Sequence, residues 1–149
     1  MSSAISRGLV GMETLLPVGD VELCVDTVGS PTDIPLLLIG TTVATWDDEL
    51  VQRLTGRFVI RYDLRDTGQS TIVDPDSPGY TLRERLPEIT APTLVVHGAA
   101  DPFFPVGNAK ALAEEIPHAT LLVLDGVGAE LLSRAHAEVA TAVLAHTAP

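Results

Sequence analysis

Hydrophobic positions along the chain change their period several times, and the changes mark out its elements. From Glu13 to Pro17 and again from Val21 to Val28 the chain alternates or runs β-branched, with Gly19 and Asp20 between, which is a hairpin pattern. Leu36 to Ile39 (LLLI), Phe58 to Tyr62, Thr93 to Val96 and Thr120 to Leu124 are short strand-forming runs. Such runs suit strands buried on both faces of a parallel sheet. Between them the period becomes helical. Trp46, Leu50, Val51 and Leu54 share one face of a predicted helix, with Thr45 as its N-cap and Gly56 beyond its C-terminus. Asn108 is the predicted cap of a second helix, with Ala109, Leu112, Ala113 and Ile116 as its apolar face and Pro117 as its end. Thr81 to Leu86 has room for one or two helical turns before Pro87, and Ser133 to His146 forms a last amphipathic helix. Met1 to Gly11 lacks a period and is expected to fray, whereas Asp74 to Gly79 (DPDSPG) reads as a loop.

Strand and helix alternate from Leu36 onward, which predicts an α/β fold. The expected architecture is a doubly wound, mostly parallel sheet with an N-terminal antiparallel hairpin and no lid. There is no internal repeat, low-complexity tract or linker, so residues 1–149 are read as one domain. Direct pairing of the Leu36–Ile39 run with the Thr93–Val96 run is one way to close the sheet, because Thr71 to Pro92 is long enough for a crossover.

Composition narrows the function. Hydrophobic residues make up 46% of the chain and mean hydropathy is +0.29, which calls for a well-covered sheet or an apolar patch that takes a partner. The net charge of −11, with Lys110 the single lysine, argues against nucleic acid, since phosphate binding needs basic side chains. No apolar stretch reaches the roughly 20 residues of a membrane span, and no signal pattern opens the chain, so a cytoplasmic location is expected. Cys24 is alone, and His97, His118, His136 and His146 lack metal-ligand spacing. Neither a metal nor a cofactor is expected.

The candidate chemistry collects at Thr93 to Pro105 (TLVVHGAADPFFP). A parallel strand presents ligand groups just past its carboxyl end, and Asp101 occupies that place. This stretch, with Asp20 to Val25 (DVELCV), Pro35 to Gly40 (PLLLIG), Arg61 to Ser70 (RYDLRDTGQS) and Leu124 to Gly128 (LDGVG), resembles the α/β-hydrolases in family order. The resemblance covers Leu15 to Ala145 and is nearest to the methylesterase-like branch associated with polyketide biosynthesis. It implies that Asp101 stands at the position of the triad acid and that Gly40 and Thr41 match the oxyanion-hole loop.

The same resemblance shows what is missing. The family continues from the Gln69-Ser70 loop through a helix to a strand bearing the nucleophile elbow G-x-S-x-G. Here Tyr80 to Glu84 begins that helix and Arg85-Leu86-Pro87 already belongs to the segment before the acid strand. The best partial match, Gly68-Gln69-Ser70-Thr71-Ile72, lacks the second glycine. The family histidine follows the last strand, where this chain has Asp125-Gly126-Val127-Gly128 and then Ala129. Loss of triad members lowers the rate by about 10⁴ to 10⁶.

Each candidate has a plainer alternative. Without an imidazole to orient, Asp101 is read as a loop-capping carboxylate; Gly40 and Thr41 are read equally as a tight turn. Asp66 and Ser70 are given structural roles in the loop, His97 and Cys24 packing roles. Trp46, Phe103 and Phe104 are expected to leave an open apolar edge, suited to a shallow groove for a hydrophobic small molecule or to a homodimer face. Three functions are therefore weighed: an esterase-lineage protein with little or no ester hydrolysis, a non-hydrolytic protein that binds or cyclises a metabolite, and a module completed by self-association or a partner.

Overall fold

The computed structural model describes residues 13–72, 82–130 and 133–149. Met1 to Gly11 and the Asp74–Gly79 loop lie outside the described residues. The chain divides into two compact units, Met1–Val73 and Asp74–Pro149, each taken by itself below.

The first unit holds a four-stranded mixed sheet built from β1 (Thr14–Val18), β2 (Val21–Val28), β3 (Ile34–Leu38) and β4 (Arg57–Tyr62), in the order β1-β2-β4-β3. The expected hairpin is present, with Val18 opposite Val21 across the two-residue loop. β2 runs antiparallel to β4, and β3 runs parallel to it. A parallel neighbour needs a crossover, and helix α1 (Asp48–Arg53) supplies it. The helix begins later than the apolar spacing indicated, because Asp47, not Thr45, is its cap. The Asp47 carboxylate accepts from the N–H of Glu49 at 2.7 Å, whereas Thr45 belongs to a short 3₁₀ turn over Val43–Thr45.

The run LLLI is not buried on both faces. Leu38 is buried, but Leu37 and Ile39 are exposed. The reason is position: β3 is the last strand of its sheet and has β4 as its single ladder partner. The buried apolar residues described in this unit are Cys24, Leu38, Leu50, Val51, Leu54 and Val59, joined by Ser70 and by three charged ones, Asp26, Arg61 and Asp63. Side chains two apart on a strand share a face. That rule puts Asp26 beside Cys24 and Arg61 beside Val59, and the register sets Asp26 directly opposite Arg61. Asp26 is 2% exposed and Arg61 6%. The guanidinium reaches Asp26 Oδ2 through Nε at 2.8 Å and a terminal nitrogen at 2.5 Å. Its other terminal nitrogen donates to the Trp46 carbonyl and pairs with Asp48 at 2.9 Å.

The second unit contains a parallel pair, β5 (Leu94–Gly98) and β6 (Thr120–Leu124), connected through α3 (Val106–Glu115). Helix α2 (Leu82–Arg85) runs into a 3₁₀ turn over Leu86–Glu88, and a second 3₁₀ turn, Ser133–Ala135, leads into α4 (His136–His146). Ala109, Ile116, Leu124, Val127, Ala135, Val139, Ala140 and Val143 are buried. Leu112 is exposed in spite of its place on the expected apolar face. Helix α3 starts two residues before Asn108, with Pro105 at its N-cap position, so Asn108 lies in the first turn and does not cap. Pro105 is extended there and leaves the Asn108 N–H bonded to its own carbonyl at 2.9 Å. Within this unit β5 pairs with β6, Leu94 opposite Thr120 and Gly98 opposite Leu124.

Removing one member of a buried ion pair strands the other charge. Asp26→Ala is therefore expected to destabilise the protein by about 3–5 kcal/mol in urea unfolding, whereas Glu49→Ala, in a surface pair with Arg53, changes it by less than about 1 kcal/mol.

Candidate functional site

The loop that follows β4 is the most heavily bonded irregular segment of the first unit. Its key residue is Asp63, which is buried. One carboxylate oxygen accepts from the N–H of Val43 at 2.8 Å and the other from the N–H of Gln69 at 2.7 Å. A single side chain thus ties the loop after β3 to the loop after β4. The brace between the two loops is Asp63. Asp66 instead takes a left-handed backbone, φ +68°, at the apex of the loop, where a short polar residue is tolerated. Gly68 is required where it stands. Its φ is +53°, and a Cβ there would lie 2.0 Å from Asp63 Oδ2.

Ser70 is buried and fully engaged. Its hydroxyl donates to the Asp63 carbonyl at 2.7 Å and accepts from the Cys24 N–H at 2.9 Å. Thr71 continues the stitching: its N–H donates to the Glu22 carbonyl and its hydroxyl accepts from the Glu22 N–H. Cys24 is buried, and burial together with the Asp63, Glu13 and Asp26 carboxylates pushes its thiol pKa up. A protonated, enclosed thiol is a poor nucleophile.

Gly40, Thr41 and Trp46 lie in the same connection between β3 and α1. The N–H groups of Thr41 and Thr42 both donate to Thr45 Oγ1 at 3.1 Å, and the Thr41 carbonyl accepts from the N–H of Leu64 and the hydroxyl of Thr67. In this conformation the Thr41 amide serves a tight turn. Trp46 is half-buried, and its indole Nε1–H is enclosed without an acceptor.

Asp101, Phe103 and Phe104 share one turn in the second unit, just past the end of β5. Asp101 Oδ1 accepts from the N–H of Phe103 at 2.8 Å and of Phe104 at 3.0 Å. These amides, Phe104 before Phe103, hold the carboxyl pKa below its ordinary value, with a smaller contribution from His97. His97 is itself tied to this turn, its Nε2 lying 3.0 Å from the Phe104 carbonyl. The two phenyl rings point outward, 75% and 60% exposed. The exit of β6 meets the same strand end: the N–H of Ala100 donates to the Val127 carbonyl, and a Cβ on Gly98 would lie 2.3 Å from the Gly128 carbonyl oxygen. His118 is exposed in its turn, and His136 is buried.

The neighbours of this chain agree on what such an arrangement is. Residues 73–146 match the family described as TAP-like protein, Abhydrolase_4. Among solved structures, 2-hydroxy-6-oxo-6-phenylhexa-2,4-dienoate hydrolase from Rhodococcus sp. strain RHA1 superposes with a TM-score of 0.68 at 12% identity, covering 93% of this chain and 99% of that one. A predicted CIB-like hydrolase from Thermoplasma acidophilum gives a TM-score of 0.61 at 13% identity, over 93% and 98% of the two chains. The chain has the fold of these hydrolases. Two curated relatives, rhodomycin D methylesterases DauP of Streptomyces sp. (strain C5) and DnrP of Streptomyces peucetius, are each 48% identical over 60 residues. Those matches cover 37% of this chain and 20% of each relative, so the chain spans about one fifth of the methylesterases' length in the matched stretch. The chain presents the α/β-hydrolase fold in reduced form, with a mixed sheet in one unit and a parallel pair in the other.

Asp63 was missed as a site-forming residue, although its place directly after a strand, followed by a glycine-containing turn, is the signal that marks it. Gly68→Ala, which forces a Cβ against the Asp63 carboxylate, is expected to cost about 1–3 kcal/mol in chemical denaturation. For Asp101, carboxyl titration followed by NMR should give a midpoint below 3.8, with the Phe103 and Phe104 amide shifts moving at the same pH. Because the folded pKa is the lower one, the stabilisation from these bonds is present above the unfolded pKa. It is lost as pH falls through the folded one.

Proposed function

We propose that this chain is an esterase-lineage α/β-hydrolase that has no working triad and hydrolyses esters weakly or not at all. The observation that supports this most directly is the state of Ser70. It is the serine of the nearest match to a nucleophile elbow, yet it is buried and both its donor and its acceptor are spent on backbone groups. An attacking serine needs a free oxygen beside a general base. Asp101 stands where the triad acid belongs, but the loop after β6 runs Asp125 to Gly128 and on to Ala129, and alanine has no proton to exchange. Asp101 spends one oxygen on capping its own turn. The similarity to rhodomycin D methylesterases supports a carboxylic-ester ancestry and a setting in natural-product metabolism.

A second reading is favoured by the surface. Phe103 and Phe104 stand exposed at the strand end of the second unit, and Leu15, Leu16 and Val18 are exposed on the hairpin. Exposed apolar residues of this size suit either a hydrophobic small molecule or a second copy of the chain. In that reading the protein binds, or guides cyclisation of, a metabolite without a nucleophile, or works as a homodimer. Gly40, Thr41 and Trp46 within the first unit and, separately, Phe103 and Phe104 within the second are the residues proposed to meet a ligand. No helix of the described residues is long and apolar enough to cross a membrane.

A fluorophosphonate probe tests the absence of an activated serine on which the first reading rests. The purified protein is expected to remain unlabelled at stoichiometric probe and to hydrolyse p-nitrophenyl acetate no faster than its Asp101→Ala variant. Stoichiometric labelling that disappears when one serine is changed to alanine overturns the first reading.

A further inference from the structure

The exit of β6 carries the single Asp–Gly pair of the chain, Asp125-Gly126. The pair forms the middle of a turn closed by the Val127 N–H, which reaches the Leu124 carbonyl at 3.4 Å. Gly126 is the third residue of that turn and takes φ +65°, a backbone conformation that glycine adopts freely. Both residues are exposed. Among the described residues, neither the Asp125 carboxylate nor the Gly126 N–H has a hydrogen-bond or ion-pair partner. Other aspartates lack this freedom. Asp63 precedes the Leu64 N–H, bonded to the Thr41 carbonyl, and Asp66 precedes the Thr67 N–H, bonded to the Leu64 carbonyl. Asp48 precedes the Glu49 N–H, which Asp47 takes, and Asp101 precedes Pro102, which has no N–H.

We propose that Asp125-Gly126 is a site of spontaneous aspartate isomerisation, and that the modification loosens the junction between the exit of β6 and the end of β5. The Gly126 nitrogen attacks Asp125 Cγ and forms an N–Cγ bond, and the carboxyl hydroxyl leaves with the amide proton as water. The product is a five-membered succinimide. Water then adds to the ring and returns a proton to the nitrogen. Cleavage of the new N–Cγ bond restores aspartate, whereas cleavage at the main-chain carbonyl leaves the chain running through Cβ and Cγ. Water is the only co-reactant, and nothing is oxidised or reduced. The attack needs the Asp125–Gly126 peptide to rotate. The long bond that closes the turn is weak, and glycine has no Cβ to obstruct the approach. The isomer lengthens the main chain by one methylene directly before two anchors. The Gly126 carbonyl accepts from Arg134, and the Val127 carbonyl accepts from the Ala100 N–H at 2.8 Å. This inference stands independently of any ester hydrolysis.

The neutral acid is the form that loses its hydroxyl, so the purified full-length protein is aged in mildly acidic buffer at physiological temperature. Peptide mapping is expected to show two new forms of the fragment containing Asp125. One is lighter by one water; the other has unchanged mass and shifted retention, and electron-transfer fragmentation assigns it a β-linked Asp125. An isoaspartyl methyltransferase should methylate that fragment from aged protein and not from fresh protein. Asp125→Glu, at an exposed side chain, keeps the fold and should lose both new forms, because its ring would have to be six-membered. Hydrogen exchange in the segment containing Ala100 should be faster in the aged protein than in the fresh one, and unchanged by ageing in Asp125→Glu. An aged fragment indistinguishable from the fresh one, faster accumulation of the isomer at another aspartate, new forms that persist in Asp125→Glu, or unaltered exchange around Ala100 each overturns the proposal.

Discussion

The Asp63 carboxylate is the constraint on which the first unit's strand-end architecture rests. Buried, it has to be satisfied, and it is satisfied by two backbone amides from two different loops, those of Val43 and Gln69. A carboxylate accepting backbone N–H bonds makes charge-assisted contacts roughly twice as strong as neutral ones. The consequences propagate outward. Gly68 has to lack a side chain because the carboxylate occupies the space where one would go. The chain then turns so that Ser70 reaches back to Cys24 on β2, and Thr71 reaches Glu22. One titratable group therefore fixes the ends of β2, β3 and β4 together. The main-chain carbonyl of the same residue accepts from the Ser70 hydroxyl.

A second charged element, the Asp26–Arg61 pair, has a different character. Buried ion pairs are weak sources of net stability, since desolvation offsets most of the attraction. What this pair does is specify. With Asp26 opposite Arg61, a one-residue slip of β2 against β4 would bury two unpaired charges, so the register is set as well as the fold. The guanidinium then extends past the sheet edge to the Trp46 carbonyl and Asp48, which positions the connection before α1.

In the second unit the strand end is organised by backbone, not by charge. Gly98 lies so close to the Val127–Gly128 carbonyls that no side chain fits between, and Ala99 and Ala100 donate to the exit of β6. Asp101 closes the following turn by taking the Phe103 and Phe104 amides. Asp101 thus caps its own loop, which carries two aromatic rings turned outward.

The hairpin, the βαβ order of each unit and the place of Asp101 at a strand end were legible in the residues, because local alternation and turn chemistry fix them without reference to distant parts of the chain. Other features belonged to tertiary structure alone. Asp47 displaced Thr45 as the helix cap because the preceding residues were drawn into a 3₁₀ turn, and Pro105 displaced Asn108 because the proline already set the entry geometry of α3. LLLI reads as a doubly buried strand, yet Leu37 and Ile39 lie exposed, since burial depends on a neighbouring strand that sequence alone does not place. Asp63, Asp26 and Arg61 look like ordinary surface charges in a strand-and-loop sequence. Their burial and partnership arise only when residues 20 or 35 positions apart are brought into register, because a charge finds its partner through space and not along the chain.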